Sequence, residues 1–398
     1  MKMKKLTAVM MTSAMVVGLA ACGGNSNTST TAAASADTTA AAAADTTAAA
    51  ADSADTTAAA AADGADYSSL DPVELVGADS TGKGAAGQIF GEMVAQKVDE
   101  ITGGQLTIDY HPNGDLGGDA DLLRQAQNGD IAIVVCQTAP MVSFVSDLAV
   151  FDLPMVFAKY DGATIDKVLN GADSEFHKKL AESYEAAGFH ALGFLQNATY
   201  RLTTANVELK DLASFAKLQI RTMENSNHMA FWTAIGAEPT PLAWSEVYFA
   251  LQSGTIDAQE NAADTCVGAN LNEVQKYLAC TNHILYLNQI CINKDVYDGL
   301  DPLYQAALDQ AVAEALVEME PQLTEIDQTN KKTLEDAGMT IIEYDDSFFD
   351  EVLALDSVKA LYADIDTQVN GLGTILQDSL AAARSEERRV GKECRSRW

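Results

Sequence analysis

From about residue 70 onward, short apolar runs alternate with longer stretches in which apolar side chains recur every three or four residues. VELVGA (73–78), LTIDYHP (106–112) and IAIVVCQ (131–137) have the length and β-branched content of strands. Between them, 84–102 and Asp119–Asn128 have helical spacing, and Gly103-Gly104 supplies the stop for the first. Helices are predicted near 162–171 and 174–187, then a strand over 189–196. The alternation repeats over about 199–285. A long amphipathic segment follows at about 302–337, then a strand over 339–344 and a last helix near 346–380. Strands alternating with helices predict an α/β protein with parallel-rich sheets under helical cover. The roughly 315 residues of this pattern suit two lobes better than one. The middle of the chain forms the second lobe, and the chain crosses between lobes more than once.

The first 66 residues lie outside that pattern. Lys2, Lys4 and Lys5 precede an apolar stretch over residues 6–20 that is too short to span a bilayer. It reads as a signal peptide, and it ends in Leu19-Ala20-Ala21-Cys22, which resembles a bacterial lipobox with Cys22 as the lipidated residue. Such a cysteine tethers a protein to the outer face of the cytoplasmic membrane without spanning it. Residues 23–66 are almost entirely Ala, Thr, Ser, Asp and Gly, with no large side chain to bury, and read as a disordered tether. At the other end, residues 384–398 turn abruptly basic and resemble the translation of a sequencing adapter, so the folded domain is placed at 67–383.

Charge narrows the partners. The formal charge is −32. Setting aside the three N-terminal lysines and a tail with six basic and three acidic residues carries it to −38. So acidic a body argues against nucleic acid and anionic lipid. Any anion site must then be made positive locally, which gives weight to a small number of arginines. Cys136, Cys266, Cys280 and Cys291 form no CxxC pair, and buried thiols fit better than a disulfide or metal framework.

Two arginines stand out. Arg221 ends the strand-like KLQIR, and Arg201 opens RLTTAN. A strand end fixes the backbone while a planar, permanently charged fork meets a carboxylate. The run from Gly236 to Asn261, GAEPTPLAWSEVYFALQSGTIDAQEN, follows. Pro239 and Pro241 hold it extended, Ser245 and Glu246 mark a helix start, and Trp244 sits just before that helix, where its ring is able to cover the apolar side of a ligand. Asn261 closes a short strand with a group that both donates and accepts.

These residues resemble the substrate-binding proteins of the tripartite ATP-independent periplasmic (TRAP) transporters, over roughly residues 72–380. The resemblance is carried by the Arg201 segment, the strand end KLQIR, the Pro-x-Pro to Gln-Glu-Asn run, and YLACTNHIL (277–285), with spacing closest to the sialic-acid branch. It implies a two-lobed periplasmic-binding-protein-like fold with a long interlobe helix and a ligand cleft at the hinge. It also implies a small carboxylate-bearing ligand, delivery to membrane permease subunits, no cofactor or metal, a monomer, and no enzymatic activity. Arg221 would pair with the ligand carboxylate, Arg201 would support it, Trp244 would form the aromatic wall and Asn261 would hydrogen-bond the ligand. Ser80, Asp119 and Gln137 fall where that branch places polar contacts of the first lobe. This chain departs from the family pattern with Tyr200 and Leu202 beside Arg201, Trp244 for phenylalanine, Ala258 for glycine, Ala262 for proline, and Gln137 where an acidic residue occurs. The departures leave the carboxylate clamp in place and the rest of the ligand open.

Gly77 to Lys83 approaches a P-loop, but Gly84 stands where the magnesium-binding hydroxyl belongs. The expected role is a Gly-rich turn whose helix N-terminus faces the cleft. Asp115, Asp119 and Asp121 lack calcium-loop spacing, and the five histidines (111, 177, 190, 228, 283) are dispersed. Two other readings are a ligand-sensing lipoprotein that feeds a signalling receptor and an exported hydrolase of acidic sugars.

Overall fold

The computed structural model describes residues 65–158 and 160–396, so the signal peptide with Cys22 and nearly all of the Ala/Thr tether lie outside the described residues. The first alternation forms as strand β1 (Val73–Asp79), helix α1 (Ala86–Thr102), β2 (Leu106–His111), α2 (Asp119–Asn128) and β3 (Ile133–Gln137). Gly103 ends α1 by taking a left-handed φ of 61° and returning its N–H to the Asp99 carbonyl. Four of the five β3 residues are buried, as expected of a strand covered on both faces. There follow α3 (Thr138–Met141), a 3₁₀ segment over Ser146–Asp152, α4 (Gly162–Leu169), α5 (Glu175–Ala186) and β4 (Phe189–Leu195).

The second lobe holds β5 (Leu202–Ala205), β6 (Gln219–Thr222), α6 (Ser226–Ala234), β7 (Glu238–Pro241), α7 (Trp244–Ser253), β8 (Ala258–Asn261), α8 (Ala263–Gly268) and β9 (Tyr277–Ala279). The chain then returns as β10 (Asn288–Asn293) and α9 (Lys294–Gly299), and crosses again along α10 (Pro302–Asp336) to β11 (Thr340–Ile342).

Two sheets result, ordered β2-β1-β3-β10-β4 and β11-β9-β5-β8-β6-β7. Both are mixed rather than parallel-rich. β1 pairs parallel with β2 and β3, but the returning β10 runs antiparallel to β3 and β4. In the second sheet β5 is antiparallel to β8 and β9, whereas β6 is parallel to β7 and β8. β5 and β10, which each follow a crossing segment, run against the other strands of their sheets, whereas β11, reached along α10, is parallel to β9. Pro239 and Pro241 fit because β7 is an edge strand.

The two crossing segments hydrogen-bond to each other between the sheets. The Arg201 N–H donates to the Ile284 carbonyl at 2.9 Å, and the Tyr286 N–H to the Thr199 carbonyl at 2.8 Å. The third crossing, α10, is 35 residues long, or about 52 Å at 1.5 Å per residue. It buries Tyr304, Ala307, Leu308, Ala311, Val312 and Ala315 among the first-lobe residues Phe90, Val94 and Val98, and its far end places Leu334 in a second-lobe cluster with Val247 and Leu251. It continues through Pro321.

The last expected helix, 346–380, is instead three: α11 (Asp346–Ala354), α12 (Asp356–Gln368) and α13 (Leu372–Ser396). Leu355 is extended, and Asn370 and Gly371 take φ of 51° and 83°, which no continuous helix admits. The bends let α12 pack against α6 and against the 146–152 segment, while α13 packs on α4 and α5. The basic tail from Arg384 continues α13 as far as Ser396.

Candidate functional site

Arg221 lies on β6, between β7 and β8, with Thr240 and Gln259 as its register partners. The strand is interior, so the backbone is held on both sides. Its side chain is 3% exposed. Nε and Nη2 both donate to the Leu242 carbonyl, at 2.9 and 2.6 Å, while Nη1 is buried with no acceptor. The guanidinium carbon sits 5.6 Å from the centre of the Trp244 ring. Burial pulls Arg221 down to about 10, with Glu260 and Asp119 pulling the other way and Arg201 adding to the depression. It therefore stays charged at neutral pH, and a buried charge with an empty donor is unstable unless something anionic meets it.

Arg201 is the opposite case. Its Nε and Nη2 hold the Glu260 carboxylate, Nη2 also donates to the Glu260 carbonyl at 2.8 Å, and Nη1 donates to the Gln137 side chain. Gln137 ends β3 in the first lobe, so this one side chain ties the two lobes together. In the first lobe the Ser80 hydroxyl donates to Asp119, the first residue of α2. Burial raises the Asp119 carboxyl, its bond from Ser80 and the nearby Arg221 lower it, and so Asp119 and Arg221 each shift the other's ionisation across the cleft. Asn261 ends β8 beside Glu260, in register with Leu202, and its Oδ1 accepts from the Ala262 N–H at 3.2 Å.

The turn before α1 positions Ser80. Asp79 accepts from the Thr81 N–H and hydroxyl, both at 2.7 Å, and from the Tyr110 hydroxyl at 2.8 Å. The α1 N-terminus itself does not face an empty cleft. The Ala86 N–H donates to Asp264 of α8 at 3.0 Å, so a carboxylate of the second lobe already occupies that helix end.

Residues 80–355 match the profile of the family described as bacterial extracellular solute-binding protein, family 7. The chain belongs to this family. The C4-dicarboxylate-binding periplasmic protein DctP of Rhodobacter capsulatus is 31% identical over 66% of this chain and 76% of its own length. The sialic acid-binding periplasmic protein SiaP of Vibrio cholerae is 28% identical over 56% of this chain and 67% of its own. A solved TRAP periplasmic solute-binding protein from Polaromonas, bound to D-erythronate, superposes with a TM-score of 0.69 at 25% identity, covering 78% of this chain and 98% of that one. The TRAP resemblance and the two-lobed fold are borne out. The identities differ too little to select a ligand.

Within this family 7 protein, several expectations need revision. α7 begins at Trp244 itself, and neither Ser245 nor any other side chain caps it; Ala243 is the capping position. Trp244 is half-buried and its ring lies against Arg221. Glu260 was not among the expected site residues, yet all four β8 residues are buried and Glu260 is 0% exposed. A carboxylate on a fully buried strand demands cationic partners, and that demand was the missed signal. The dispersed histidines partly converge on it. His283 Nε2 lies 3.2 Å and His228 Nδ1 3.9 Å from the Glu260 carboxylate, while His228 Nε2 meets Asp152 at 3.0 Å. Burial would raise Glu260, but Arg201, His228 and His283 hold it well below the usual carboxylate range. Among the described residues no group of three His, Cys, Asp or Glu is arranged to hold a metal ion. Cys136, Cys266, Cys280 and Cys291 are free and buried. A separate groove of about 540 Å³, lined by Phe144, Lys179, Glu182, Ser183 and Asn370 among others, lies beside α5 and includes none of the expected ligand residues.

Proposed function

We propose that this chain captures a small organic acid outside the cytoplasm and presents it to a TRAP-type membrane permease, acting as a receptor and not as an enzyme. The observation that carries the reading is the buried, unpartnered Nη1 of Arg221. A ligand carboxylate supplies the missing acceptor and the missing charge together, in surroundings where such a pair is stronger than at a surface. Trp244 covers the clamp, Asn261 and Gln137 offer neutral polar contacts, and Ser80 and Asp119 close from the first lobe. Arg201 supports the clamp through Glu260 and Gln137. The crossing segments and α10 are the joints about which the lobes would close, a hinge movement driven by contacts from both sides. Names among the relatives agree in chemistry, since C4-dicarboxylates, sialic acid and D-erythronate all carry a carboxylate. We further propose that the receptor works as a monomer held at the outer face of the cytoplasmic membrane through Cys22.

A thermal-shift panel on residues 66–383 tests this, with hexuronates, aldonates, sialic acid and C4-dicarboxylates against neutral sugars. A ligand at 100 times its dissociation constant adds about 2.7 kcal/mol. A shift of several degrees with an acid, lost in Arg221→Ala, is expected. A shift with neutral sugars alone would overturn the reading.

A further inference from the structure

We propose that Asp264 latches the two lobes together, and that this contact, which touches no ligand, sets how long a captured acid is held. This rests on the reading of a cleft that closes around a clamped acid, and adds a residue that governs its release.

Helix α1 starts without a cap of its own. Its N-cap residue is Ala85, no side chain bonds there in the usual way, and the first turn carries no acidic residue. Ser, Thr, Asp or Asn normally fills that position. The acceptor comes instead from the second lobe, 178 residues away in sequence: Asp264 Oδ2 takes the Ala86 N–H at 3.0 Å. Asp264 is 7% exposed. Its Oδ1 accepts from the Thr265 N–H at 2.6 Å and from the Thr265 hydroxyl at 3.2 Å. These donors are neutral, so the positive end of α1 is what balances the carboxylate. With α8 drawn away, Ala86 keeps an orphan N–H and Asp264 loses the helix end that suits its charge.

The bond also lies beside the place where α10 is able to bend. That helix packs on the first lobe from Tyr304 to Met319 and on the second at Leu334. Between them Pro321 has no N–H for the Val317 carbonyl, which weakens the helix ladder there. Just past that proline, Leu323, Ile326 and Asp327 line a cavity of about 20 Å³ together with Ala86 and Asp264. A swing of the lobes about Pro321 therefore pulls Asp264 from Ala86. An acid enters while the pair is apart and leaves only after it breaks, so the latch acts on dissociation and not on association.

Stopped-flow tryptophan fluorescence on the lipid-free chain tests this, since Trp244 lies against the clamp. The probes are sialic acid, D-glucuronate, D-erythronate and succinate. For an acid that binds, Asp264→Ala should raise the dissociation rate about tenfold or more and leave the association rate within about twofold. Asp264→Asn keeps an oxygen for the Ala86 N–H and should restore part of the loss. Ala86→Pro deletes the donor instead, at the first helical position, where proline is well tolerated. It should also speed dissociation, and it carries the test alone if Asp264→Ala does not fold. Combined with Asp264→Ala it should add little, because one bond is lost only once. Dissociation that either substitution leaves unchanged overturns the latch while the clamp stands, and so do effects of the two that multiply independently or a change confined to association. A panel in which no acid binds removes the clamp reading and the latch with it.

Discussion

Arg201 and Glu260 close on each other across the β5–β8 pair, with the Nη2 donor 3.0 Å from one carboxylate oxygen and 2.8 Å from the Glu260 carbonyl, and neither side chain is more than 1% exposed. Twenty residues further on, Arg221 is almost as deeply buried and has a backbone carbonyl where Arg201 has a carboxylate. The two arginines look alike in the sequence. The structure divides them: Arg201 is completed by the fold, whereas Arg221 keeps a buried donor without an acceptor.

Replacing Arg221 by methionine should therefore make the ligand-free protein more stable and the receptor worse. The substitution removes an unsatisfied buried group, worth roughly 1–3 kcal/mol, and keeps most of the apolar volume beside Trp244. Carboxylate affinity should fall by two orders of magnitude or more, the usual cost of about 2–5 kcal/mol when one member of a buried charge pair is truncated. Melting temperature without ligand and calorimetric titration with it measure the two halves. A destabilised variant would show that Arg221 is structural.

Glu260→Gln should do the reverse. It leaves Arg201 buried against a neutral amide, and breaking a buried pair from one side costs about 3–5 kcal/mol. An unfolding free energy from urea titration that falls by less than about 1 kcal/mol would show that Gln137 and the Glu260 carbonyl suffice to hold Arg201.

The contrast between these two arginines also marks the limit of what could be read in advance. Strand-length apolar runs and helix stops placed β1 to β3, α1, α2, α4, α5, β4, α10 and β11 to within a few residues, because each rests on local periodicity and on glycines such as Gly103. The ligand roles expected of seven residues came from the resemblance to TRAP substrate-binding proteins. Those of Glu260, His228 and His283 did not, because their relation exists only once β8, α6 and the return crossing are packed together. The same holds for the antiparallel strands β5 and β10, and for the breaks at Leu355, a good helix former held extended, and at Asn370-Gly371, where the chain turns so that α12 and α13 cover different elements.

Alkaline pH should weaken the fold through His228. Burial opposes its charge, but Asp152 and Glu260 outweigh burial and lift it to about 9, from an ordinary 6.5. The folded state then binds more protons than the unfolded one in that interval. Its contribution is complete below about 6.5 and disappears as pH rises through about 9. Glu320, raised to about 8 by burial and by Asp166, acts in the same direction from about 4.5 upward. His283, which burial lowers, acts below 6.5 and does not overlap. Melting temperature should fall by several degrees between pH 6.5 and 8.5, before the buried thiols begin to contribute. His228→Gln should lower stability at pH 6.5 and flatten that slope, leaving the Glu320 part. An unchanged slope would mean that His228 is neutral in the folded protein.

A final prediction concerns the support beneath Ser80. Gly91 of α1 packs against the Tyr110 ring so closely that an added Cβ would lie 1.9 Å from the phenol oxygen and 2.1 Å from the carbon that bears it. The same hydroxyl donates to Asp79 at 2.8 Å, and Asp79, at 0% exposed, also fixes the turn through Thr81. Gly91→Ala must push the ring aside and withdraw that bond, at a cost of about 1–3 kcal/mol for overpacking. With its ring displaced, Tyr110 no longer steadies the residue that precedes Ser80, so affinity for the acid should fall as well. A double-mutant cycle separates this from a general helix effect. In a Tyr110→Ala background there is no ring to strike, and Gly91→Ala should then be nearly neutral in a denaturant titration, a coupling of the size seen for residues in contact. Additive costs would show that the methyl group clashes elsewhere and that the Gly91–Tyr110 contact does not carry strain to the site.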